Sequence, residues 1–345
     1  MATLRDVAER AGVSIRTVSN VVNGFHYVSE ATRARVRQAI EETGYQPNLA
    51  ARSLRGGRSG LIGLIVPEID VPYFGELTRC FIEQLAGREH TLVVDHTDGD
   101  PARERDIVLR RRPAPLFDGL IANPLQLSAE ELEAARPSLP LVLIGEQVHS
   151  DRFDHVMIDN VRAAREAVQH LLGLGRRRIA VVGGPPDGWT RTTALRIEGY
   201  QAALRDAGHR PDPDLDVRTE ALHRRDGAVA MERLLRSRRP PDAVFCLNDL
   251  VALGVLRTLA VHGVRVPDDI AVTGFDDIED GRYATPTLST VAPDKAGIAA
   301  LAVQRLTARM AGDQSPGATL YADHTFVARE STLGRDAAAE PDPAG

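Results

Sequence analysis

Lysine is almost missing from this chain: of its 345 residues only Lys295 is one, and arginine supplies the rest of the 42 Lys and Arg side chains. The skew reads as a compositional bias rather than a functional choice. Cysteine is equally scarce. Cys80 and Cys246 stand far apart in apolar surroundings, which excludes a disulfide framework and a thiolate metal site and makes both read as buried thiols. Nowhere do about 18 apolar residues run together, as a membrane-crossing helix requires. The opening MATLRDVAER carries charge from its fifth residue and lacks the apolar stretch of a secretory signal, so a cytoplasmic protein is expected. Catalytic loops are missing too. No GxGxxG opens a helix after the first strand, and neither a Gly-Lys-Ser/Thr phosphate loop nor a GxSxG elbow occurs. The acidic run Asp276, Asp277, Glu279 and Asp280 has the spacing of neither a calcium loop nor a zinc site. No enzyme, no cofactor and no metal is therefore expected.

What is present is a folded chain, 43% hydrophobic and 26% charged, long enough for two or three domains. Its charge is divided unevenly. The formal net is −6, yet residues 1–60 hold nine arginines against five acids, a formal +4, which leaves −10 on the remainder. A basic head that can meet phosphate and an acidic body that phosphate would repel are the expectation.

The head carries local helix signals. Thr3 with Asp6 reads as a capping box before Leu4, Val7 and Ala8, and Gly12 as the stop. Ser14 can cap a second helix with the apolar face Ile15, Val18, Val21 and Val22, closed by Asn23-Gly24. A third helix opens at Val28, Ser29 and Glu30 and runs to Gly44. Helix, glycine turn, helix is a unit whose second helix can enter a DNA major groove by its amino-terminal residues. Arg16 there suits guanine, Ile15 a thymine methyl, and Asn20 adenine or a phosphate. Ser14 and the free amides beside it suit phosphate. The piece from Asn48 to Arg55 is too short to be a stable helix alone, since isolated helices below about 12 residues are marginal in water.

From Leu61 the rhythm changes to apolar strands separated by amphipathic helices. Strands are expected at 61–66, 91–95, 118–122, 140–145, 178–184, 216–219, 242–247 and 269–275. Helices are expected through Phe74, Leu77, Phe81 and Leu85, then near 101–112, 128–136, 160–174, 191–207, 226–238 and 248–262. Continuous apolar strands alternating with helices mean parallel sheets covered on both faces. Two α/β units of about 100 residues each should follow the head. The last dozen residues, 334–345, read as a disordered tail without the leucine heptads of a coiled coil.

The strings TLRDVAERAGVSIRTVSNVVNG (3–24), VSEATRARVRQAIEETGYQPN (28–48) and AARSLRGGRSGLIGLIVP (50–67), with EGYQAAL, NDLVALGVL and DIAVTGFDD downstream, resemble the lactose/galactose repressor (LacI/GalR) family of bacterial transcription regulators. The resemblance reaches from the head to about residue 333. It implies a helix-turn-helix head at 1–47, a hinge helix and linker at 48–60, and a two-lobed, periplasmic-binding-protein-like body at 61–333. Its lobes would be roughly 61–158 with 292–320, and 159–291 with 321–333. Carried over by residue, it makes Ile15, Arg16 and Asn20 base readers and Ser14, Thr17, Ser19 and Asn23 backbone or supporting contacts. It also makes Leu54 a wedge in the minor groove, which paired hinge segments could open while Ala51 and Arg52 approach the groove edges.

Two facing α/β units make a cleft at the carboxyl ends of their strands, where open parallel sheets take small ligands. Residues leaving those ends, and the start of RIEGYQAAL, supply an amide, carboxylates and a guanidinium suited to vicinal hydroxyls. The resemblance assigns this role to Arg196, Asn248 and Asp276 and leaves Asp249 as a helix cap. Tyr73, Phe74 and His96 or Thr97 are candidates on the other lobe, with Phe74 equally able to join a core stripe. The body departs from the commoner family pattern at Gly145-Glu146, where many relatives carry aspartate, and near Leu222, where the lactose repressor has a tryptophan. Trp189 could supply an aromatic wall instead. The expectation is a homodimeric repressor on a palindromic operator, relieved by a small effector such as a sugar. A corepressor-dependent regulator responding to a non-sugar metabolite and a sugar-binding protein without a DNA role are the alternatives, the second disfavoured by the basic head.

Overall fold

The computed structural model describes residues 2–22, 27–45, 59–109, 117–135, 137, 139–148, 150–185 and 190–335. They fall into two compact units, Met1–Gly60 and Leu61–Gly345, each described by itself.

The first unit contains α1 (Leu4–Ala11), α2 (Ile15–Val22) and α3 (Glu30–Thr43). Thr3 and Asp6 form the capping box, and Gly12 ends α1 in the left-handed region at φ 62°. A side chain there would be strained, so glycine makes the turn. The Thr17 N–H donates to Ser14 Oγ at 3.1 Å, capping α2. Ser29 caps α3 and Gly44 closes it, again left-handed. Val7, Ala8, Ala11, Val18, Val21, Val36 and Ala39 form the core. Ile15, first residue of the apolar face, does not belong to it: the residue is 41% exposed. Asn23-Gly24 and the hinge segment 48–55 lie outside the described residues.

The second unit begins with β1 (Leu61–Val66), α4 (Pro72–Leu85), β2 (Thr91–His96), α5 (Pro101–Val108), β3 (Gly119–Ala122), α6 (Ala129–Ala135), β4 (Leu141–Ile144) and β5 (Asp154–Met157). It continues with α7 (Asn160–Gly173), β6 (Ile179–Val182), α8 (Arg191–Asp206), β7 (Asp216–Val217), α9 (Arg224–Leu235), β8 (Ala243–Cys246), α10 (Asp249–Val261), β9 (Ala271–Phe275), α11 (Glu279–Arg282) and β10 (Ser289–Pro293). Last come α12 (Lys295–Met310), β11 (Thr319–Tyr321), β12 (His324–Val327) and α13 (Glu330–Leu333).

Two six-stranded sheets result, in the orders β11-β5-β4-β3-β1-β2 and β12-β10-β9-β8-β6-β7. Every pairing is parallel except β10 with β12. Strands β3, β4, β6 and β8 are buried at every residue, as expected when helices cover both faces. The chain passes between the lobes at three places: after β5, after β10 and after β11. Strand β5 breaks the apolar pattern because Asp154, wholly buried, receives Arg309 Nε at 2.7 Å. Burial pushes that carboxyl up, but the bonds from Arg309 and Arg305 outweigh it and hold Asp154 below the usual range. The pair fastens α12 to the first lobe.

Helices α9 and α10 touch backbone to backbone. A Cβ on Gly227 would collide with the Val251 carbonyl oxygen, and one on Gly254 with that of Arg224. Cys246 is buried and Cys80 only half-buried, so the reading of two buried thiols holds for the first alone. No helix among the described residues is long and apolar enough to cross a membrane.

Candidate functional site

In the first unit α2 turns Val18 and Val21 inward and leaves its amino-terminal end bare. Ser14, Ile15 and Arg16 are exposed there, while Thr17, Ser19 and Asn20 are half-buried. An arginine fork beside an exposed apolar side chain and a capped helix start is the arrangement that base edges and phosphates require. Arg10 Nε donates to Glu42 Oε2, joining α1 to α3 behind it. Of the other head candidates, Asn23, Ala51, Arg52 and Leu54 lie outside the described residues.

In the second unit a cavity of about 1040 Å³, counted out to its open mouth, lies between the lobes. Its walls come from chain that has just left the strands. Glu68 follows β1, Asn123 follows β3, Gly145 and Glu146 follow β4, Asn248 follows β8 and Asp276 follows β9. Tyr73 and Phe74, at the start of α4, meet edge to face with centroids 5.3 Å apart and give the first lobe an aromatic wall.

Arg196 on α8 is the hub of the opposite wall. Its guanidinium stacks 3.5 Å over the Phe275 ring. Nε donates to Asn160 Oδ1 at 2.8 Å, Nη1 to the Leu247 carbonyl, and Nη2 to Asp276 Oδ1 at 3.4 Å. Asp276 is held at φ 112°, a strained value for a residue with a side chain. Burial pushes its carboxyl up to about 6, although Arg196 and Lys295 pull the other way. Glu146 joins the hub from the first lobe, accepting from Asn160 Nδ2 at 2.7 Å and from Thr192 Oγ1 at 2.5 Å.

Tyr73, Phe74, Arg196, Asn248 and Asp276 are thus brought together. Phe74 is half-buried and lines the cavity while also touching the core. His96 and Thr97 are not among the lining residues. The His96 ring turns aside to Asp98 Oδ1 at 2.7 Å, and Thr97 is buried. Trp189 lies outside the described residues. The cap of α10 falls to Asn248 and not, as expected, to Asp249. Asn248 is the cap of α10: its Oδ1 accepts from Val251 N–H at 2.9 Å and its Nδ2 donates to the Leu222 carbonyl at 2.9 Å. Asn248 nevertheless lines the cavity. Asp249, the expected cap, is wholly buried, accepting from Thr290 Oγ1 at 2.6 Å and Ile278 N–H at 3.0 Å. Burial and nearby Asp276 push its carboxyl well up.

Glu68, Asn160, Thr192 and His223 escaped the sequence reading because nothing local marks them. Their bonds tie the lobes across the cleft. Glu68 pairs with His223 Nε2 at 3.1 Å. Gln147 Oε1 accepts from Arg191 N–H at 3.0 Å. Glu76 on α4 accepts from Glu279 N–H at 2.8 Å and from Lys295 Nζ at 2.7 Å, and the same ammonium donates to the Asp277 carbonyl at 2.9 Å.

Glu104 shapes the first lobe's wall from behind. Fully buried on α5, it accepts from the backbone N–H groups of Leu125 at 2.8 Å, Gln126 at 2.9 Å and Leu127 at 2.7 Å. Those three bonds fix the loop that carries Leu125 to the cavity.

Comparison with known proteins agrees with both halves. Residues 3–48 match the family described as "Bacterial regulatory proteins, lacI family", and residues 168–332 match the "Periplasmic binding protein-like domain". The ribose operon repressor of Escherichia coli (strain K12) is 35% identical over 90% of this chain and 93% of its own. The HTH-type transcriptional repressor PurR of Pasteurella multocida (strain Pm70) is 31% identical over 97% of this chain and 100% of its own. The crystal structure of the lac repressor dimer bound to operator and the anti-inducer ONPF superposes with a TM-score of 0.81 at 29% identity, covering 96% of this chain and 99% of that one. These relatives are regulators of transcription and not enzymes, and the chain belongs with them: it is a DNA-binding transcriptional repressor of the lacI family.

Proposed function

We propose that the protein binds a near-palindromic operator as a homodimer and that a small sugar in the interlobe cleft sets its operator affinity. The cleft's construction carries the reading. Tyr73, Phe74 and Glu146 stand on one lobe and Arg196, Asn248 and Asp276 on the other, around one cavity. A ligand touching both walls necessarily favours one lobe arrangement over another, and it shifts the population by its difference in affinity for the two. Carboxylates, an amide and a guanidinium beside an aromatic wall suit the hydroxyls and the apolar face of a sugar ring. The lac repressor dimer on its operator and the ribose operon repressor support the dimer and the ligand class.

At the head, Ile15, Arg16 and Asn20 read bases, and Ser14, Thr17, Ser19 and Asn23 hold the backbone. The segment 48–55, with Ala51, Arg52 and Leu54, is assigned the minor groove on its sequence. A single head buries too little surface for tight specific binding, and two heads on two half-sites supply it. Thermal-shift screening of the purified protein against sugars tests the cleft. A ligand at about 100 times its Kd stabilises the folded state by about 2.7 kcal/mol. Mobility shift of an operator fragment with and without the hit then tests the coupling, and a hit that leaves the shift unchanged would sink it.

A further inference from the structure

Charge divides the cleft unequally. Glu68, Glu146 and Asp276 present three carboxyl groups to the cavity, and the described lining residues hold only Arg196 and His223 as cationic or protonatable partners. Both partners are engaged. Each nitrogen of Arg196 already donates, its charge is matched by Asp276, and its face is covered by Phe275. His223 is paired with Glu68 at 3.1 Å. Arg191 lines a neighbouring groove instead, its backbone N–H held by Gln147.

Recognition of a phosphate or carboxylate calls for an uncommitted arginine fork, a lysine or a cluster of free backbone amides. Three helix starts line this cleft, but their amides are engaged: the Phe74 N–H with the Val71 carbonyl, the Arg191 and Thr193 N–H groups with Gln147 Oε1 and Thr190 Oγ1, and the Val251 N–H with Asn248 Oδ1, so the side chains around them present chiefly acceptors. Asp276 has a second oxygen, and each Glu146 oxygen keeps a lone pair. The donors left over, one Nδ2 hydrogen of Asn248 and the remaining hydrogens of Arg196, suit hydroxyl oxygens singly.

We infer that the cleft selects its effector by charge, accepting a neutral, unphosphorylated polyhydroxy compound and rejecting its phosphorylated or acidic counterparts. The inference rests on the cleft being the effector site proposed above, and it adds which sugars are shut out. Like charges brought together at a binding surface cost several kcal/mol, so an anionic counterpart should bind at least about 100-fold more weakly than its neutral partner.

The test is calorimetric titration of the full chain with matched compounds: ribose against ribose 5-phosphate, and glucose against glucose 6-phosphate and gluconate, extended to neutral disaccharides and their phosphates. Binding confined to neutral members, at the ratio given, is the expected result. An anionic member that binds as tightly as its partner overturns the inference even when it releases the operator. A neutral member that binds but leaves operator affinity unchanged overturns the effector role and leaves the charge selection standing. No binding by any compound overturns both. Glu146→Gln supplies an independent check, because removing one carboxylate should narrow the neutral-to-anionic ratio about tenfold. An unchanged ratio would assign the discrimination to something other than charge.

Discussion

Asp276→Asn should stabilise the protein while weakening its ligand binding. The carboxyl lies buried at the cleft wall and is pushed from 3.8 up to about 6. A rise of that size corresponds to about 3 kcal/mol of preference for the neutral form, so at pH 7.5 the folded chain carries an ionised group that its surroundings disfavour. The direction with pH follows. The folded state keeps this proton up to about pH 6, whereas the unfolded chain loses it near 4. The group's contribution is therefore full below 4 and is lost as pH rises through 6. Asparagine imitates the neutral form and tolerates the positive φ better than most residues. Its gain at pH 7.5 should be about 1–3 kcal/mol, the lower end allowing for an amide that finds no acceptor. In a body of this size each kcal/mol moves Tm by about 2–4 °C, and the gain should vanish at pH 4. Removing a charged acceptor should also weaken the cleft ligand by about 10- to 100-fold. Thermal melts of both proteins across pH 4–8 decide the matter. A variant less stable than its parent at pH 7.5 would show that pairing with Arg196 outweighs desolvation, and would refute the reasoning.

Three further substitutions probe other parts of the molecule. Arg16→Ala should cost about 1–3 kcal/mol per half-site and relax the preference at one operator position; equal losses on every sequence in a binding-site selection would deny it a reading role. Glu104→Gln exchanges a carboxylate acceptor of three backbone N–H bonds for an amide with one acceptor oxygen, and should destabilise the body by about 1–3 kcal/mol in urea titration. Gly227→Ala places a methyl against the Val251 carbonyl and should cost about 1–3 kcal/mol or more by separating α9 from α10; an unchanged melt would mean that the two helices part freely.

Much of the fold is written locally. Thr3, Asp6 and Gly12 mark the start and stop of α1 within a few residues of one another, and the apolar runs of β1, β3, β4, β6 and β8 identify a doubly covered parallel sheet by composition alone. Strand β5 is not legible that way. Its Asp154 and His155 look like turn residues until the arginines of α12, far along the chain, are placed against Asp154. Ile15 repeats at helical spacing with Val18 and Val22, yet it sits at the bare end of a short helix, where periodicity cannot tell a core face from a contact face. Asn248 and Asp249 show the same one-residue ambiguity at a helix start: either can cap, and packing against Thr290 and Ile278 decides which.

The candidate site is legible to a similar degree. Asn248 and Asp276 are legible because they leave strands in matching strings, and Arg196 because it stands just before EGYQAAL, inside α8. The ties that close the cleft, Glu68 with His223 and Glu76 with the Glu279 N–H, join residues whose neighbours in sequence say nothing about them. His96 illustrates the reverse error. It leaves a strand end in the right lobe, but Asp98, two residues on, captures its ring.

Reciprocity between cleft and operator is the most direct measurement of the whole scheme. Any ligand that alters operator affinity must have its own affinity altered by operator to the same factor. Calorimetric titration of the screened sugar into free protein and into the protein–operator complex should give dissociation constants that differ about 5- to 150-fold. Equal constants would contradict the account, because they would mean that the cleft and the reading heads do not communicate.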